Sequence, residues 1–254
     1  MRTASTGEAM APVARQKARA RGWAVARRVL VAAGLTIVVL AGLAGGVAAL
    51  YVQRAQAETT GTLRVAGLQR PVSVLRDRWG VPHITANTLH DVAFAQGYVT
   101  AQDRLFQMVM NRRIAQGRLA EMFGPGPDHS LVDADAFLRT LDLYRSARIE
   151  LVTLDPRIFT ELQAYADGVN AFIATHTGST ALTTSLPPEF PLLGLTPEPW
   201  TPVDSLAYGR VVALSLDNQW QTKIARAAVL AKAGPAVTDL LFPPYPNENP
   251  TLLT

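Results

Sequence analysis

Four histidines, His83, His90, His129 and His176, are the side chains from which this sequence could build a metal centre or a general base. No two stand three or four residues apart, the spacing that stacks ligands on one helical face. Each therefore reads as a surface or packing residue. Cysteine is absent, which removes a thiolate nucleophile, a disulfide-stapled fold and a structural zinc finger. The serines sit in no Gly-x-Ser-x-Gly elbow. The chain also lacks a Gly-x-x-x-x-Gly-Lys-Ser/Thr loop, a Gly-x-Gly-x-x-Gly turn and a His-Glu-x-x-His helix. Acids are scattered, and spacing singles out no carboxylate pair. Motif chemistry leaves two possibilities: the chain binds without reacting, or its reactive residue lies elsewhere.

The elements that would position any site are mostly helical. Pro71–Arg76 and Val81–Ala86 read as two short strands, joined by a turn at Asp77-Arg78-Trp79-Gly80. Pro82 places the second strand at an edge or a bulge. Thr88 and Asp91 form a capping signal, after which Phe94, Tyr98, Ala101, Leu105 and Met108 repeat at helical spacing. Gly117 interrupts that run, and Gly124-Pro125 ends it. A helix is expected over about 133–151. Another starts at Asp155-Pro156, where a capping side chain precedes a residue that needs no donor, and runs to about Thr175. Six prolines between 187 and 202 demand an extended loop. Thr201-Pro202-Val203-Asp204 then caps a helix to about Leu216, and a last helix runs from about Gln219 to Ala233, stopped by Gly234-Pro235. The final twelve residues, Pro243–Thr254, carry four prolines and no periodicity.

Residues 1–28 hold seven Lys/Arg and one acid, whereas the rest has 17 bases and 19 acids. The net charge of +4 therefore belongs to the tail, and the body gives no electrostatic reason to bind nucleic acid. From Val29 to Val52 run 24 uncharged residues. As a helix they span roughly 36 Å, enough for a hydrocarbon core of about 30 Å. The preceding basic residues orient such an anchor with the tail in the cytoplasm and the body on the extracytoplasmic face. A long signal segment is the alternative, because Ala55-Gln56-Ala57 resembles a cleavage site. The division expected is a basic cytoplasmic tail (1–28), a transmembrane anchor or signal segment (29–52), a linker (53–70) and one body (71–254). A strand pair alone is marginally stable, so the body is expected to pair with strands outside this sequence.

One stretch is more specific. Arg76-Asp77-Arg78-Trp79-Gly80-Val81-Pro82-His83-Ile84 is followed by Gly97-Tyr98-Val99-Thr100-Ala101-Gln102-Asp103-Arg104-Leu105-Phe106-Gln107-Met108. Then come Arg112-Arg113 and Gly117-Arg118-Leu119-Ala120-Glu121-Met122-Phe123-Gly124. This order resembles the start of the penicillin acylase (penicillin amidase) family. Tyr165-Ala166-Asp167-Gly168-Val169-Asn170, Pro197-Glu198-Pro199-Trp200 and Leu241-Phe242-Pro243 extend the likeness over roughly 63–254. The resemblance implies an α+β fold: the mostly helical first-chain part of a four-layer αββα N-terminal-nucleophile hydrolase, here preceded by one transmembrane helix. It implies a precursor cut into an α chain and a longer β chain. The serine that begins the β chain is nucleophile, and its own α-amine is general base. Small-molecule linear amides are the implied substrates, either β-lactam side-chain amides or acyl-homoserine lactones.

The nucleophile motif of that family, Ser-Asn followed by an aromatic, is absent, so no catalytic residue is assigned to this chain. Ser205 and Ser215 fall inside expected helices. The stretch that maps to the acyl pocket wall makes Ala213, Leu216, Asp217 and Trp220 the candidate substrate-binding residues, with ordinary helix packing as the alternative. Arg76, Asp77, Asp103, Arg104, Arg112 and Arg113 are expected to be structural, in ion pairs that lock the first body helix to the strand pair or to the companion chain. The family's calcium site draws one acid from the helix near Gln219. Lys223 occupies that region, and no acid lies between Asp217 and Asp239. No metal is therefore assigned, and the Lys223 ammonium is expected to stand in for the ion. The alternative to an amidase α chain, inactive alone, is a noncatalytic membrane-anchored helical binding module or an inactive truncated fragment.

Overall fold

The computed structural model describes residues 11–180, 183–217 and 219–243, with backbone only for 11–22, 24–26 and 29. The extreme N-terminus and almost all of the proline-rich C-terminal stretch lie outside the described residues. Chain order is α1 (Ala11–Arg54), β1 (Ser73–Arg76), β2 (Pro82–Thr85), α2 (Leu89–Gln116), α3 (Ala120–Phe123), α4 (Ser130–Leu141), α5 (Leu143–Thr153), α6 (Pro156–His176), α7 (Glu189–Leu192), α8 (Pro202–Leu216) and α9 (Trp220–Leu241). Two compact units result. One takes in residues 1–56 and 178–188, the other residues 57–177 and 189–254.

The first unit is dominated by α1. Its segment Leu30–Arg54 is long and apolar enough to cross a membrane, and no side chain of its most apolar window is buried. Near its end the Tyr51 hydroxyl donates to the Leu186 carbonyl, 2.8 Å away.

The second unit starts from its caps. The Thr88 hydroxyl accepts from the Asp91 N–H at 3.1 Å and opens α2. Gly117, at φ +60, closes it with its own N–H on the carbonyls of Arg113 and Ile114. Asp155 caps α6 through the Arg157 N–H. The Asp204 carboxylate accepts from the Thr201 N–H at 2.7 Å to fix the start of α8. The apolar stripe of α2 is buried as its spacing requires: Phe94, Tyr98, Ala101, Leu105 and Met108 are all in the core. Complete burial of the Phe94, Leu105 and Met108 side chains contributes about 1.5–3 kcal/mol each.

Helices α2 and α6 form the main packed pair. They approach through two glycines. A β-carbon on Gly97 would meet the Tyr165 carbonyl oxygen at 2.0 Å, and one on Gly168 would meet that of Phe94 at 1.9 Å. The Tyr98 and Phe172 rings then meet edge to face, 5.6 Å apart. A smaller core of Ala115, Ala147 and Ala207 joins α2, α5 and α8.

Three elements differ from the sequence reading. The helix expected over 133–151 is broken at Asp142, whose φ of +52 separates α4 from α5. The proline-rich loop contains the short α7, held by the fully buried Phe190 against Phe106. Beyond the Gly234 break, at φ +79, helix resumes to Leu241, because Pro235 can begin a helix even though it cannot continue one. Part of the stretch read as a linker also packs on the body. The Gln69 N–H donates to Asp91 Oδ1 at 2.8 Å, and Gln102 Nε2 donates to the Glu58 carbonyl at 3.2 Å.

Candidate functional site

Most of the residues that carry the family resemblance lie in the hairpin, along α2 and α3, in α6 and at the start of α8. In the hairpin, β1 and β2 pair antiparallel from Ser73↔Thr85 to Arg76↔Pro82. Asp77 closes the turn by accepting from the N–H groups of Trp79 (2.8 Å) and Val81 (3.0 Å), and Gly80 supplies the positive φ. Burial pushes the Asp77 carboxyl up, but those two donors and His83 together hold it below its usual range. Arg76 ties the hairpin to α2 with a fork of bonds to Asp103, at 2.8 and 3.0 Å, and one to Gln102 at 3.0 Å. Among the described residues neither strand has a second strand partner, so both outer edges are open.

Arg112 is the largest fully buried side chain among the described residues, at 2% exposure. Its Nη1 donates to the Pro199 carbonyl (3.0 Å) and the Glu198 carbonyl (3.3 Å), and stands 3.7 Å from Asp204 Oδ2. Its guanidinium lies over the Trp200 ring. Trp200 is pinned in turn: its backbone exchanges hydrogen bonds with the Asn170 side chain at 2.7 and 2.9 Å, and its indole N–H donates to Ser205 Oγ. Asp204 also accepts from the Tyr144 hydroxyl. Arg113 pairs with Glu121 and Glu198, and Arg118 pairs with the same two acids. The hydrogen bonds from Arg118, reinforced by Arg113, lower the Glu121 carboxyl to about 2.

Between the hairpin, α2, α6 and α8 lies an open cleft of about 540 Å³, walled by Thr100, Arg104 and Gln107 on one side and Leu162, Tyr165 and Tyr208 on the other. Arg104 sits at a bend in α2, with φ −152 and ψ 33. Burial raises the Tyr165 hydroxyl above its ordinary value. Nothing in the sequence reading pointed to Leu162, Tyr165 or Tyr208 as cleft residues. Their signal was only the helical spacing of α6 for Leu162 and Tyr165 and of α8 for Tyr208, which any core helix shares.

The four residues expected at an acyl pocket lie together where α8 gives way to α9. Ala213 and Leu216 are exposed, Asp217 is partly buried, and Trp220 packs on Phe137 with ring centroids 5.1 Å apart. None of them lines the cleft on α2. Lys223 Nζ stands 3.0 Å from Asp217 Oδ2, and this contact, the largest influence, holds the Asp217 carboxyl below its usual range. An ammonium occupies the place beside this carboxylate, so the side chains present here do not fit a calcium ion. Among the described residues no three acidic or histidine side chains gather as a metal cluster. Ser205 is engaged by Trp200, and the Ser215 hydroxyl donates to the Val212 carbonyl, so both are ordinary helix residues.

Residues 71–249 match the sequence profile described as penicillin amidase. The chain belongs to the penicillin amidase family. Among similar family members is an acyl-homoserine lactone acylase, QuiP, of Pseudomonas aeruginosa, 38% identical over 191 residues. That match takes in 75% of this chain and 21% of the relative. The penicillin acylase 2 proenzyme of Pseudomonas sp. (strain SE83) is 40% identical over 184 residues, which are 72% of this chain and 22% of that protein. A solved chain of the thermostable penicillin G acylase of Alcaligenes faecalis superposes with a TM-score of 0.56 at 30% identity, covering 72% of this chain and 97% of that one. The chain thus spans about a fifth of the length of the curated penicillin amidase relatives it matches.

Proposed function

We propose that this chain is the α-chain part of an amidase that hydrolyses linear amides, of the penicillin or cephalosporin side-chain type or the acyl-homoserine lactone type. The observation that carries the reading is the penicillin amidase match over 71–249, within relatives named as acylases that are about five times longer than the matched stretch. The nucleophile belongs to a companion β chain. The word proenzyme in one relative's name supports a processed precursor. An α-amine titrates near 7.7–8.0, so near neutrality a good fraction is free to take the proton of its own serine hydroxyl. The hydroxyl oxygen attacks the amide carbon, the amine leaves with a proton, and water releases the acyl group from the serine ester.

Within that reaction this chain supplies scaffold and wall. Ala213, Leu216, Asp217 and Trp220 are the residues we place against the acyl group, and Lys223 stands in for the calcium ion of the family. Helix Leu30–Arg54 holds the protein in the cytoplasmic membrane with the body on the extracytoplasmic side, which its length and the flanking basic residues support.

Expression with and without the companion chain tests the reading. Hydrolysis of a chromogenic phenylacetyl amide or an acyl-homoserine lactone should appear only with both chains present. Silence of the two-chain preparation across an acyl panel would instead assign the chain to a noncatalytic binding module.

A further inference from the structure

Helix α1 gathers its charge at one end. Glu8 and Glu58 are the only acids in the first 58 residues, so no carboxylate side chain stands anywhere along α1. Six bases, Arg15, Lys17, Arg19, Arg21, Arg27 and Arg28, lie in its first eighteen residues, and Arg54 alone lies at its other end. The last two of the six adjoin the apolar run directly: Arg28 precedes Val29, the first of 24 uncharged residues. Both arginines are exposed, and so is Trp23, at 81%. Trp23 and Arg27 are four residues apart and share a helical face. An indole and a guanidinium at the end of an apolar span suit a headgroup layer, where the ring takes the boundary and the cation faces phosphate.

The helix is unbroken from Ala11 to Arg54, which sets how far each base stands from that boundary. At about 1.5 Å per residue, Arg21 is about 10 Å and Arg15 about 20 Å beyond Arg28. Fixed charges reach about 8 Å at physiological salt. In a helix tilted by about 20°, an ordinary crossing, only Arg27 and Arg28 of the six bases stand within one screening length of the phosphates.

We infer that Trp23, Arg27 and Arg28 form a binding site for the headgroup of an anionic phospholipid in the cytoplasmic leaflet. The inference rests on the reading above of Leu30–Arg54 as a membrane span with the basic tail inside. The lipid phosphodiester accepts from the two guanidiniums, and no acid on the helix competes for them. A zwitterionic lipid offers the same phosphate but adds an ammonium that the two arginines repel, so the site discriminates by net charge. Nucleic acid is a poorer fit. Two bases beside a hydrocarbon boundary neutralise few phosphates, whereas nucleic-acid affinity grows with the number neutralised.

The test places the full-length protein in phosphatidylcholine vesicles that carry a trace of spin-labelled phosphatidylglycerol or spin-labelled phosphatidylcholine. Electron paramagnetic resonance reads the fraction of each lipid held at the protein. A base beside an anionic group at this depth is worth about a factor of five, so the parent should prefer phosphatidylglycerol about fivefold or more. Arg27→Gln with Arg28→Gln should bring the ratio close to one, whereas Arg27→Lys with Arg28→Lys should keep most of it. Arg15→Gln with Lys17→Gln should change it less than about twofold, and about 1 M NaCl should lower the parent's ratio. Equal retention of the two lipids by the parent overturns the inference, as does a preference that survives Arg27→Gln with Arg28→Gln or is lost on Arg15→Gln with Lys17→Gln. Retention of an RNA oligonucleotide on these vesicles without any lipid preference assigns the bases to nucleic acid instead. Protein released from the vesicles by alkaline carbonate overturns the membrane reading, and the inference with it.

Discussion

Removing the Arg112 guanidinium would leave Asp204 buried with its hydrogen bonds from Thr201 and Tyr144 but without its cation, and would strip the cover from Trp200. Arg112→Ala should therefore cost about 3–5 kcal/mol, the range for breaking one side of a buried pair. Arg112→Lys should recover little, because one ammonium cannot serve two carbonyls, a carboxylate and a ring face together. Urea unfolding of the two-chain protein checks both, and unchanged midpoints would contradict the assignment. Glu121 gives a pH-dependent case. Its carboxyl is lowered from 4.5 to about 2 in the folded chain, so its contribution is complete above the unfolded value and is lost as pH falls toward the folded one. Glu121 is half-exposed, so Glu121→Gln should cost about 1 kcal/mol or less near neutrality. Unfolding curves of parent and variant should converge on acidification, and a gap that widened instead would reverse the sign argued here. The types of these residues stood out in the sequence. Their partners did not, because Arg112 meets Pro199 and Asp204 only through the fold.

Helix ends were legible for a local reason. Thr88 with Asp91, Asp155 with Pro156, Thr201 with Asp204, and Gly234 with Pro235 each satisfy or forbid backbone bonds within one turn. The break at Asp142 was not legible, because a left-handed aspartate inside a periodic run leaves no mark on the period. Nor was the α2–α6 crossing, which depends on two glycines far apart in sequence. That crossing sets the shape of the cleft above it, since Gly97 faces Tyr165. Gly97→Ala must push the backbones apart and should destabilise by about 1–3 kcal/mol. Gly209, inside α8, has nothing within 4 Å of an added methyl. Gly209→Ala should stabilise by about 0.5–1 kcal/mol through helix propensity. The two variants should move the unfolding midpoint in opposite directions; a shared direction would show that the α2–α6 contact is looser than its geometry implies.

At the scale of the whole molecule, the body itself exposes large apolar side chains: Trp79, Leu89, Val152, Leu192 and Leu240 are all at least 73% exposed. Single exposed apolar residues are ordinary, but together with two open strand edges they fit the companion chain proposed above. The body alone should bind a hydrophobic dye and self-associate in sedimentation, and both signals should fall when the companion chain is present. An isolated body that stays monomeric and dye-silent would argue against a large missing interface. Family membership was legible from ordered matches such as Gly97 to Met108, whereas the cleft was not, because its walls are brought together only by the helix crossing. The central claim is that the reactive serine lies outside this chain. A serine-directed sulfonyl fluoride applied to the active two-chain enzyme, followed by peptide mass spectrometry, tests it most directly. The account predicts one modified residue, the amino-terminal serine of the companion chain, with this chain unlabelled; stoichiometric labelling of Ser205, Ser215 or any other serine among these 254 residues would contradict it.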